Sequence, residues 1–345
     1  MLSVQVNLRT ILKNVVSIKK RLNPGTKFCA VVKADAYGLG IERISKLLAA
    51  HVDCFAVATI NEAIKLRTIG IKQDILLFGV CHAIPTAIKY NIIITVENAS
   101  QARQIIKAKL HPRIHLAVNT NMNRFGLMSV HEVRETLQLL KQEKVEGVYT
   151  HLAFESDQIK HVRTALTRFK KFTYICRQYF PQIMTHAGCS GVLDYPPAHF
   201  DMIRIGKALY GGFANTRTAI KVTSQIVAVK KIKTGETVGY CGTFTANRPT
   251  VIGIVHGGYA NGIPPQFSNT VNVLVGKQLC PVIGRVCMDY FFIDVSKIKD
   301  PMSQPVTIIS NHNGQNLIDI AQKAKMITCN LLVNLCHYNN HKQIN

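Results

Sequence analysis

Acidic residues and long apolar runs are what this sequence has least of. Its 345 residues include 19 acidic and 42 basic side chains, so the formal net charge at pH 7 is +23. No window approaches the roughly 18 uninterrupted apolar residues of a membrane-spanning helix. The N-terminal segment also lacks a basic stretch followed by a continuous apolar one, which a secretory signal peptide requires. We therefore expect a cytoplasmic protein that has no membrane partner.

The ten cysteines contain no C-x-x-C pair, which argues against structural zinc and against a disulfide framework. Cys29, Cys54 and Cys280 lie in or beside apolar runs, as ordinary buried thiols do. His111 and His115 are four residues apart, but a proline between them indicates loop and strand, where this spacing does not converge on one ion. The sequence therefore predicts no metal site.

The net charge could indicate a nucleic-acid-binding protein. However, the lysines are scattered and occur at most in pairs, with no run of five or six basic residues and no RNA-binding signature. A diffuse positive field attracts phosphorylated or carboxylated small molecules and gives weak, salt-sensitive adhesion to nucleic acid. We therefore expect no specific nucleic-acid partner.

The first 215 residues alternate short apolar runs with stretches of helical spacing. Apolar residues make up 47% of the chain and charged residues 18%, which is typical of a folded protein with a sizeable core, and the length suggests two domains. Eight strands that alternate with helices predict a parallel (β/α)8 barrel over residues 9–215. The predicted strands are Phe28–Val32, Phe55–Ala58, Ile75–Gly79, Ile92–Val96, Ile114–Val118, Val148–Ala153, Ile183–Ala187 and Met202–Ile205.

Beyond Tyr210 the pattern changes to closely spaced strands separated by Gly, Pro and Asn turns. Helical spacing returns only at Leu317–Lys325, so residues 216–345 are predicted to form a second, mostly β domain. A polar segment near Asn215–Lys221 marks the expected boundary. The predicted strands are Val222–Val229, Thr250–Val255, Val271–Val275, Pro281–Val286, Phe291–Val295 and Val306–Ile309.

Lys33 follows directly after the apolar run Phe28–Val32. An ammonium group there loses hydration, so the site either holds a counter-charge or lowers the lysine pKa toward the free amine. A neutral amine in a pocket is a nucleophile, and its usual partner is a carbonyl such as the aldehyde of pyridoxal phosphate. The alternative is a lysine at a strand end that simply extends into solvent.

Seven short segments that contain Lys, Arg, His, Tyr or Asp, six of them together with Gly, are distributed over nearly the whole chain. They are KADAYGLG (Lys33–Gly40), NMNRFG (Asn121–Gly126), THLA (Thr150–Ala153), IRIGKALYG (Ile203–Gly211), VGYCGTF (Val238–Phe244), GYANG (Gly258–Gly262) and GRVCMD (Gly284–Asp289). In sequence and in order, these segments resemble the motifs of the alanine racemases. This resemblance implies a pyridoxal-phosphate-dependent isomerase that makes D-alanine for peptidoglycan. It also implies a barrel domain, a β domain joined by an N-terminal strand (residues 1–8), and a homodimeric assembly.

The resemblance assigns the reaction to four residues. Racemisation needs a base on one face of the substrate Cα and an acid on the other, and these positions match Lys33 and Tyr259. Because a phenol ordinarily has a pKa near ~10, Tyr259 needs a neighbour, and the family histidine that hydrogen-bonds it matches His151. Arg204 matches the arginine that faces the cofactor's pyridine nitrogen; taken alone, it could be a structural ion pair.

The resemblance also assigns binding residues for cofactor and substrate. Arg124 and the backbone at Met288 match the contacts to the substrate carboxylate, which suits guanidinium geometry. The residues that match Tyr259 and Met288 reach into the partner subunit's site, so a head-to-tail homodimer is implied. Besides Lys33 and Arg204, the expected cofactor contacts, which are mainly to the phosphate, are Tyr37, Ser190, Gly206 and Lys207.

One departure from the family pattern concerns Arg124. Many members carry a lysine, modified to a carbamate, seven residues before this arginine, and here that position is Ala117. We expect Asn119, Asn121 or a bound anion to hold Arg124 instead.

Three further departures concern specificity. Cys329 occupies the place of a tyrosine that touches phosphate and narrows the substrate pocket, so a larger side chain such as that of serine could enter. Asn261 replaces a usual aspartate, and Cys189 a commoner asparagine. Alternative functions are therefore a serine or broad-specificity racemase, or a barrel that binds the cofactor without turnover.

Overall fold

The structure is a computed structural model that describes residues 1–312 and 314–337 and the backbone of residues 341–344. The chain divides into two compact units. We call Val15–Ala36 with Gly40–Gly206 the barrel unit, and Met1–Asn14, Tyr37–Leu39 and Lys207–Asn345 the sheet unit.

Eight parallel strands, β2 to β9, form the sheet of the barrel unit, so the predicted (β/α)8 architecture is confirmed. The spatial order is β8-β7-β6-β5-β4-β3-β2-β9. β1 (Ser3–Asn7) belongs to the sheet unit, and the barrel strands are β2 (Lys27–Val31), β3 (Cys54–Val57), β4 (Asp74–Val80), β5 (Ile93–Val96), β6 (Arg113–Ala117), β7 (Lys144–Tyr149), β8 (Met184–His186) and β9 (Met202–Ile205).

Two backbone hydrogen bonds join the ends of this sheet and close the barrel. The Arg204 N–H donates to the Gly188 carbonyl at 3.0 Å, and the Asp201 N–H donates to the Thr185 carbonyl at 3.0 Å. Because all eight strands run in the same direction, their carboxyl ends meet at one rim of the barrel. Residues that follow the strands are therefore gathered there.

The barrel strands are apolar because both of their faces are covered. Every residue of β3 and β5 is buried, which fits the near-continuous apolar runs from which the strands were predicted. The one poor match is β7, which ends at Tyr149, whereas the prediction was Val148–Ala153. The described helices are α1 (Leu8–Lys19), α2 (Lys33–Tyr37), α3 (Ile41–Leu48), α4 (Ile60–Thr68), α5 (Ile84–Lys89), α6 (Ala99–Lys107), α7 (Val130–Leu139), α8 (Ile159–Tyr179), α9 (Leu317–Lys323) and α10 (Thr328–His337).

The sheet unit is mostly antiparallel, as predicted, and is built on one long strand, β10 (Ile220–Ile232). The first part of β10 pairs with β1, and its second part, beyond a bulge at Ile226 to Ala228, pairs with β13. The remaining strands are β11 (Thr237–Val238), β12 (Phe244–Thr245), β13 (Thr250–His256), β14 (Asn272–Val275), β15 (Gln278–Pro281), β16 (Tyr290–Asp294), β17 (Pro305–Ile309) and β18 (His341–Ile344).

Two predictions for this unit were wrong. The strand predicted at Pro281–Val286 lies earlier, at Gln278–Pro281, where it pairs with β14 as a hairpin. The helix α10 was missed, although Leu331, Leu332 and Leu335 form its buried face. Within the described residues, no helix is long and apolar enough to cross a membrane.

Candidate active site

Lys33 lies just beyond the end of β2 and begins a left-handed helical turn. The residues Ala34, Asp35, Ala36 and Tyr37 have φ values of 54°, 53°, 55° and 60°. Each non-glycine residue in this conformation costs roughly 1–2 kcal/mol. Such strain persists only where surrounding contacts hold it, and it is concentrated at functional sites.

Contacts from Asp35 and Glu62 hold this turn. The Asp35 carbonyl accepts from the Gly40 N–H at 2.9 Å, and its carboxylate accepts from the Ile41 N–H at 2.9 Å. The Glu62 carboxylate receives the Asp35 N–H at 3.4 Å and also completes the capping box that begins α4 at Thr59. A hydrogen bond therefore connects the strained turn to the N-terminal cap of α4, the helix of the next βα unit.

Three predicted site residues of the barrel unit act electrostatically on a fourth, His151. Loss of hydration and the positive charges of Arg204, Arg124 and Lys33 lower the pKa of His151 to about 3, although its imidazole still reaches solvent. His151 is therefore neutral at physiological pH and able to accept a hydrogen bond. A lysine, two arginines and a neutral histidine share the carboxyl-end rim of the barrel.

Arg204 is buried, and its guanidinium donates hydrogen bonds to uncharged acceptors. Its guanidinium donates to Nδ1 of His186 at 2.7 Å, to the His186 carbonyl at 2.9 Å and to the Thr150 carbonyl at 2.6 Å. No carboxylate pairs with it among the described residues, so the structural ion-pair alternative was wrong. Burial lowers the pKa of Arg204, but a guanidinium remains protonated in proteins.

His186 and His115 form a second layer that the sequence analysis missed. Nδ1 of His115 lies 2.9 Å from Nε2 of His186, and both rings are buried. Because Arg204 donates to Nδ1 of His186, the proton of neutral His186 is on Nε2 and is donated to His115. His115 is the middle residue of β6 and His186 is the last residue of β8, and these strand positions were the only available signal.

Ser190 and Gly206 lie together where β8 and β9 end. The Gly206 N–H donates to Oγ of Ser190 at 3.2 Å, and both residues are buried. A serine hydroxyl beside backbone N–H groups after the seventh and eighth barrel strands is a common phosphate-binding arrangement.

Tyr37, Tyr210 and Cys329 form a cluster in the sheet unit. The rings of Tyr37 and Tyr210 lie 5.2 Å apart, and burial together with Tyr37 and Cys329 raises the pKa of Tyr210. The Tyr210 hydroxyl is buried and has no hydrogen-bond partner among the described residues. Lys207 of the same unit places its Nζ 5.6 Å from the centre of the Phe213 ring. The cluster therefore contains an orphan hydroxyl that a bound ligand could satisfy.

Tyr259 and Met288 project from adjoining turns of the sheet unit. The Tyr259 N–H donates to the Cys287 carbonyl at 3.0 Å, and a Cβ at Gly258 would lie 2.1 Å from that oxygen. Only glycine permits this approach, and Asn261 completes the turn by accepting from the Gly258 N–H. Tyr259 is 45% exposed and Met288 53% exposed.

The expectation for Arg124 was wrong in part. The Asn119 amide donates to Oδ1 of Asn123 at 2.8 Å, and Oδ1 of Asn121 accepts from the Ala153 N–H at 3.4 Å. Neither side chain hydrogen-bonds Arg124 in the part of the chain that the structure describes. Both amides instead order the loop that carries this arginine.

The predicted site residues therefore fall into two sets. Lys33, Arg124, His151, Ser190, Arg204 and Gly206 lie in the barrel unit, and Tyr37, Lys207, Tyr259 and Met288 lie in the sheet unit.

Comparisons with known proteins agree with this architecture. Residues 6–213 match the family described as alanine racemase, N-terminal domain, and residues 219–342 match alanine racemase, C-terminal domain. An alanine racemase of Streptococcus pyogenes serotype M6 is 34% identical, with 95% of this chain and 94% of that protein covered. An alanine racemase of Streptococcus uberis is 31% identical, with 95% of this chain and 93% of that protein covered.

Solved structures show the same likeness. The alanine racemase of Bartonella henselae, which has covalently bound pyridoxal phosphate, superposes with a TM-score of 0.87 at 26% identity over 99% of both chains. That of E. faecalis superposes with a TM-score of 0.85 at 27% identity over 99% of this chain and 98% of the other.

An isomerase built from a (β/α)8 barrel and a β domain is the class that this fold and these relatives define. The chain belongs to the alanine racemase family.

Proposed function

We propose that this protein is a pyridoxal-phosphate-dependent alanine racemase that interconverts L- and D-alanine in the cytoplasm and supplies D-alanine for peptidoglycan. The observation that carries the proposal is the carboxyl-end rim of the barrel, where Lys33 begins a strained left-handed turn and the buried Arg204 is fixed by hydrogen bonds. Loss of hydration and the positive charges at this rim also lower the pKa of His151. Membership of the alanine racemase family supports the same activity.

The residues present fit pyridoxal phosphate. Lys33 offers an amine to the aldehyde, and Ser190 with the backbone at Gly206 and Lys207 offers donors to the phosphate. Tyr37 and the orphan hydroxyl of Tyr210 offer two further phenols. When bound, the cofactor withdraws electrons from the substrate Cα and makes its proton acidic.

Arg204 keeps the chemistry directed to proton exchange. Its charge is permanent, and its hydrogen bonds to His186 and to the Thr150 carbonyl fix its orientation. Opposite a pyridine nitrogen, a guanidinium that does not release its proton leaves that nitrogen largely unprotonated. Arg204 in that place would therefore favour reprotonation of the substrate Cα over transamination.

Lys33 and Tyr259 exchange the proton on opposite faces of Cα in this proposal. His151, with a pKa of about 3, is a neutral acceptor that can hold the phenol of Tyr259 in place. The exposure of Tyr259 and Met288 supports a homodimer in which these residues complete the partner's site. Arg124 binds the substrate carboxylate, because a guanidinium fork pairs with two carboxylate oxygens.

Incubation of the purified protein with L-alanine in deuterated water tests the proposal. Racemisation predicts deuterium at Cα together with D-alanine, detected by mass spectrometry and chiral chromatography. Lys33→Ala should abolish both signals, whereas Lys107→Ala removes an exposed lysine of α6 in the same unit and should leave them intact. Absence of exchange with every L-amino acid would rule out a racemase.

Cys329 favours a second candidate, a serine or broad-specificity racemase. The thiol lies beside Tyr210 and Tyr37, where the family usually places a phenol, and it fills less space. The same deuterium assay with L-serine ranks the two substrates. If Cys329 sets specificity, Cys329→Tyr should lower the serine-to-alanine ratio of kcat/KM. An unchanged ratio would show that this position does not select the side chain.

A further inference from the structure

The longest helix of the barrel unit, α8, carries a positive charge that has no part in the proposed reaction. Its 21 residues include six Lys or Arg residues and no Asp or Glu. None of these six cations forms an ion pair in the described part of the chain. A helix face of one sign without counter-charges raises the local concentration of anions. The cations are Lys160, Arg163, Arg168, Lys170, Lys171 and Arg177.

These cations border a groove where α8 packs beside α7. The groove has a volume of about 750 Å³, and its lining includes Lys160, Arg163, Arg168 and Lys171 but no carboxylate. The hydroxyls of Thr164 and Thr167 also line it. Side chains of Lys, Arg and Thr are the usual contacts to phosphate oxygens in nucleic-acid complexes.

An exposed aromatic ring extends the same face. Tyr174 is 68% exposed and lines an adjoining depression with Arg134, Lys170 and Lys171. Lys160 and Tyr174 are fourteen positions apart on α8, so the face spans about 21 Å at 1.5 Å per residue. A basic groove with a ring on which a base can stack is the arrangement that binds single strands without sequence preference.

We propose that the groove between α7 and α8 binds single-stranded nucleic acid through its phosphate backbone. The cations line a depression that a flat bilayer surface does not enter, which favours a flexible polyanion over a membrane. Bases of a duplex are stacked inside and do not meet Tyr174, which favours a single strand over a duplex. Six of the 42 basic residues of the chain lie on this one helix.

Fluorescence anisotropy with a labelled oligothymidylate of about 20 nucleotides measures this binding. Four phosphate contacts predict that the logarithm of the association constant falls with the logarithm of salt concentration at a slope of about −3. A duplex of the same length should compete more weakly. Equal competition by the duplex would overturn the assignment to single strands, and the absence of binding at low salt would overturn the site.

Two charge-matched variants separate the groove from the general positive field. Lys160→Glu/Lys171→Glu alters two cations that line the groove, and Lys230→Glu/Lys231→Glu makes the same change of charge at an exposed pair on β10. The groove variant should bind at least about tenfold more weakly and lose about 1.4 from the salt slope, because two contacts are removed. Equal weakening by both variants would refute the site. Thermal unfolding checks that both variants are folded.

Tyr174→Ala tests the stacking contact. Loss of one stacked base should weaken oligothymidylate binding about fivefold or more without changing the salt slope, because no cation is removed. An unchanged affinity would overturn this part of the proposal. Sedimentation with phosphatidylserine vesicles completes the test: vesicle binding without oligonucleotide binding would assign the face to membranes and refute nucleic acid.

Discussion

Acidification should destabilise the barrel through the buried histidine His115. Its side chain is 2% exposed, its ring packs against the backbone of Gly147, and its Nδ1 accepts from His186. Burial, followed by the opposing effects of Glu146 and Arg113, lowers the pKa of His115 to about 4. Protonation of this ring would remove the acceptor that His186 requires.

The magnitude follows from the difference between the folded and unfolded pKa values. An unfolded histidine has a pKa near 6.5, so the shift to about 4 corresponds to about 3 kcal/mol. Between these values the unfolded chain holds a proton that the native chain lacks. The free energy of unfolding therefore keeps its full value above about pH 6.5 and falls as pH decreases toward 4.

Urea unfolding followed by far-ultraviolet circular dichroism at a series of pH values measures this effect. His115→Gln keeps a hydrogen-bonding side chain but does not titrate. Between about pH 6.5 and pH 4, the free energy of unfolding of this variant should therefore fall by about 3 kcal/mol less than that of the wild type. His111→Gln is the matched control because His111 is exposed on the same segment. Superimposable pH profiles for the wild type and His115→Gln would refute the reasoning.

Three further substitutions test the local geometry. Gly258→Ala places a methyl group 2.1 Å from the Cys287 carbonyl, so the melting temperature should fall by several degrees, and an unchanged value would contradict the close approach. Thr59→Ala removes the capping box of α4 and should cost about 1 kcal/mol in urea unfolding, unlike Thr68→Ala at the far end of the helix. Ser190→Ala should weaken pyridoxal phosphate binding about tenfold in an absorbance titration; wild-type affinity would exclude Ser190 from the phosphate site.

The barrel strands could be predicted from the sequence because they are buried on both faces and therefore consist of nearly continuous apolar residues. β3 and β5 are buried throughout, and each was predicted to within a residue or so. β7 was misplaced because its first half, from Lys144, alternates polar and apolar residues, while apolar residues continue past its end. The missed helix α10 begins with Thr328 and Cys329, which have no strong helix preference.

The second layer of the site could not be predicted because it depends on contacts between distant strands. His115 and His186 are 71 residues apart, and beyond their positions in the strands nothing in either segment indicates that Nδ1 of His115 lies 2.9 Å from Nε2 of His186. The left-handed turn after Lys33 is equally hidden, since alanine and aspartate ordinarily favour right-handed helices. Sequence motifs predicted which residues take part in the reaction but gave no prediction of the residues that orient them.

A subunit-mixing experiment tests most directly the claim that Lys33 and Tyr259 act on one Cα from two subunits. Lys33→Ala and Tyr259→Phe should each be inactive alone. When the two are mixed and allowed to exchange subunits, half of the dimers are mixed and hold one complete site of two, so about a quarter of wild-type racemisation should return. No recovery on mixing, or full activity of either variant alone, would contradict the account.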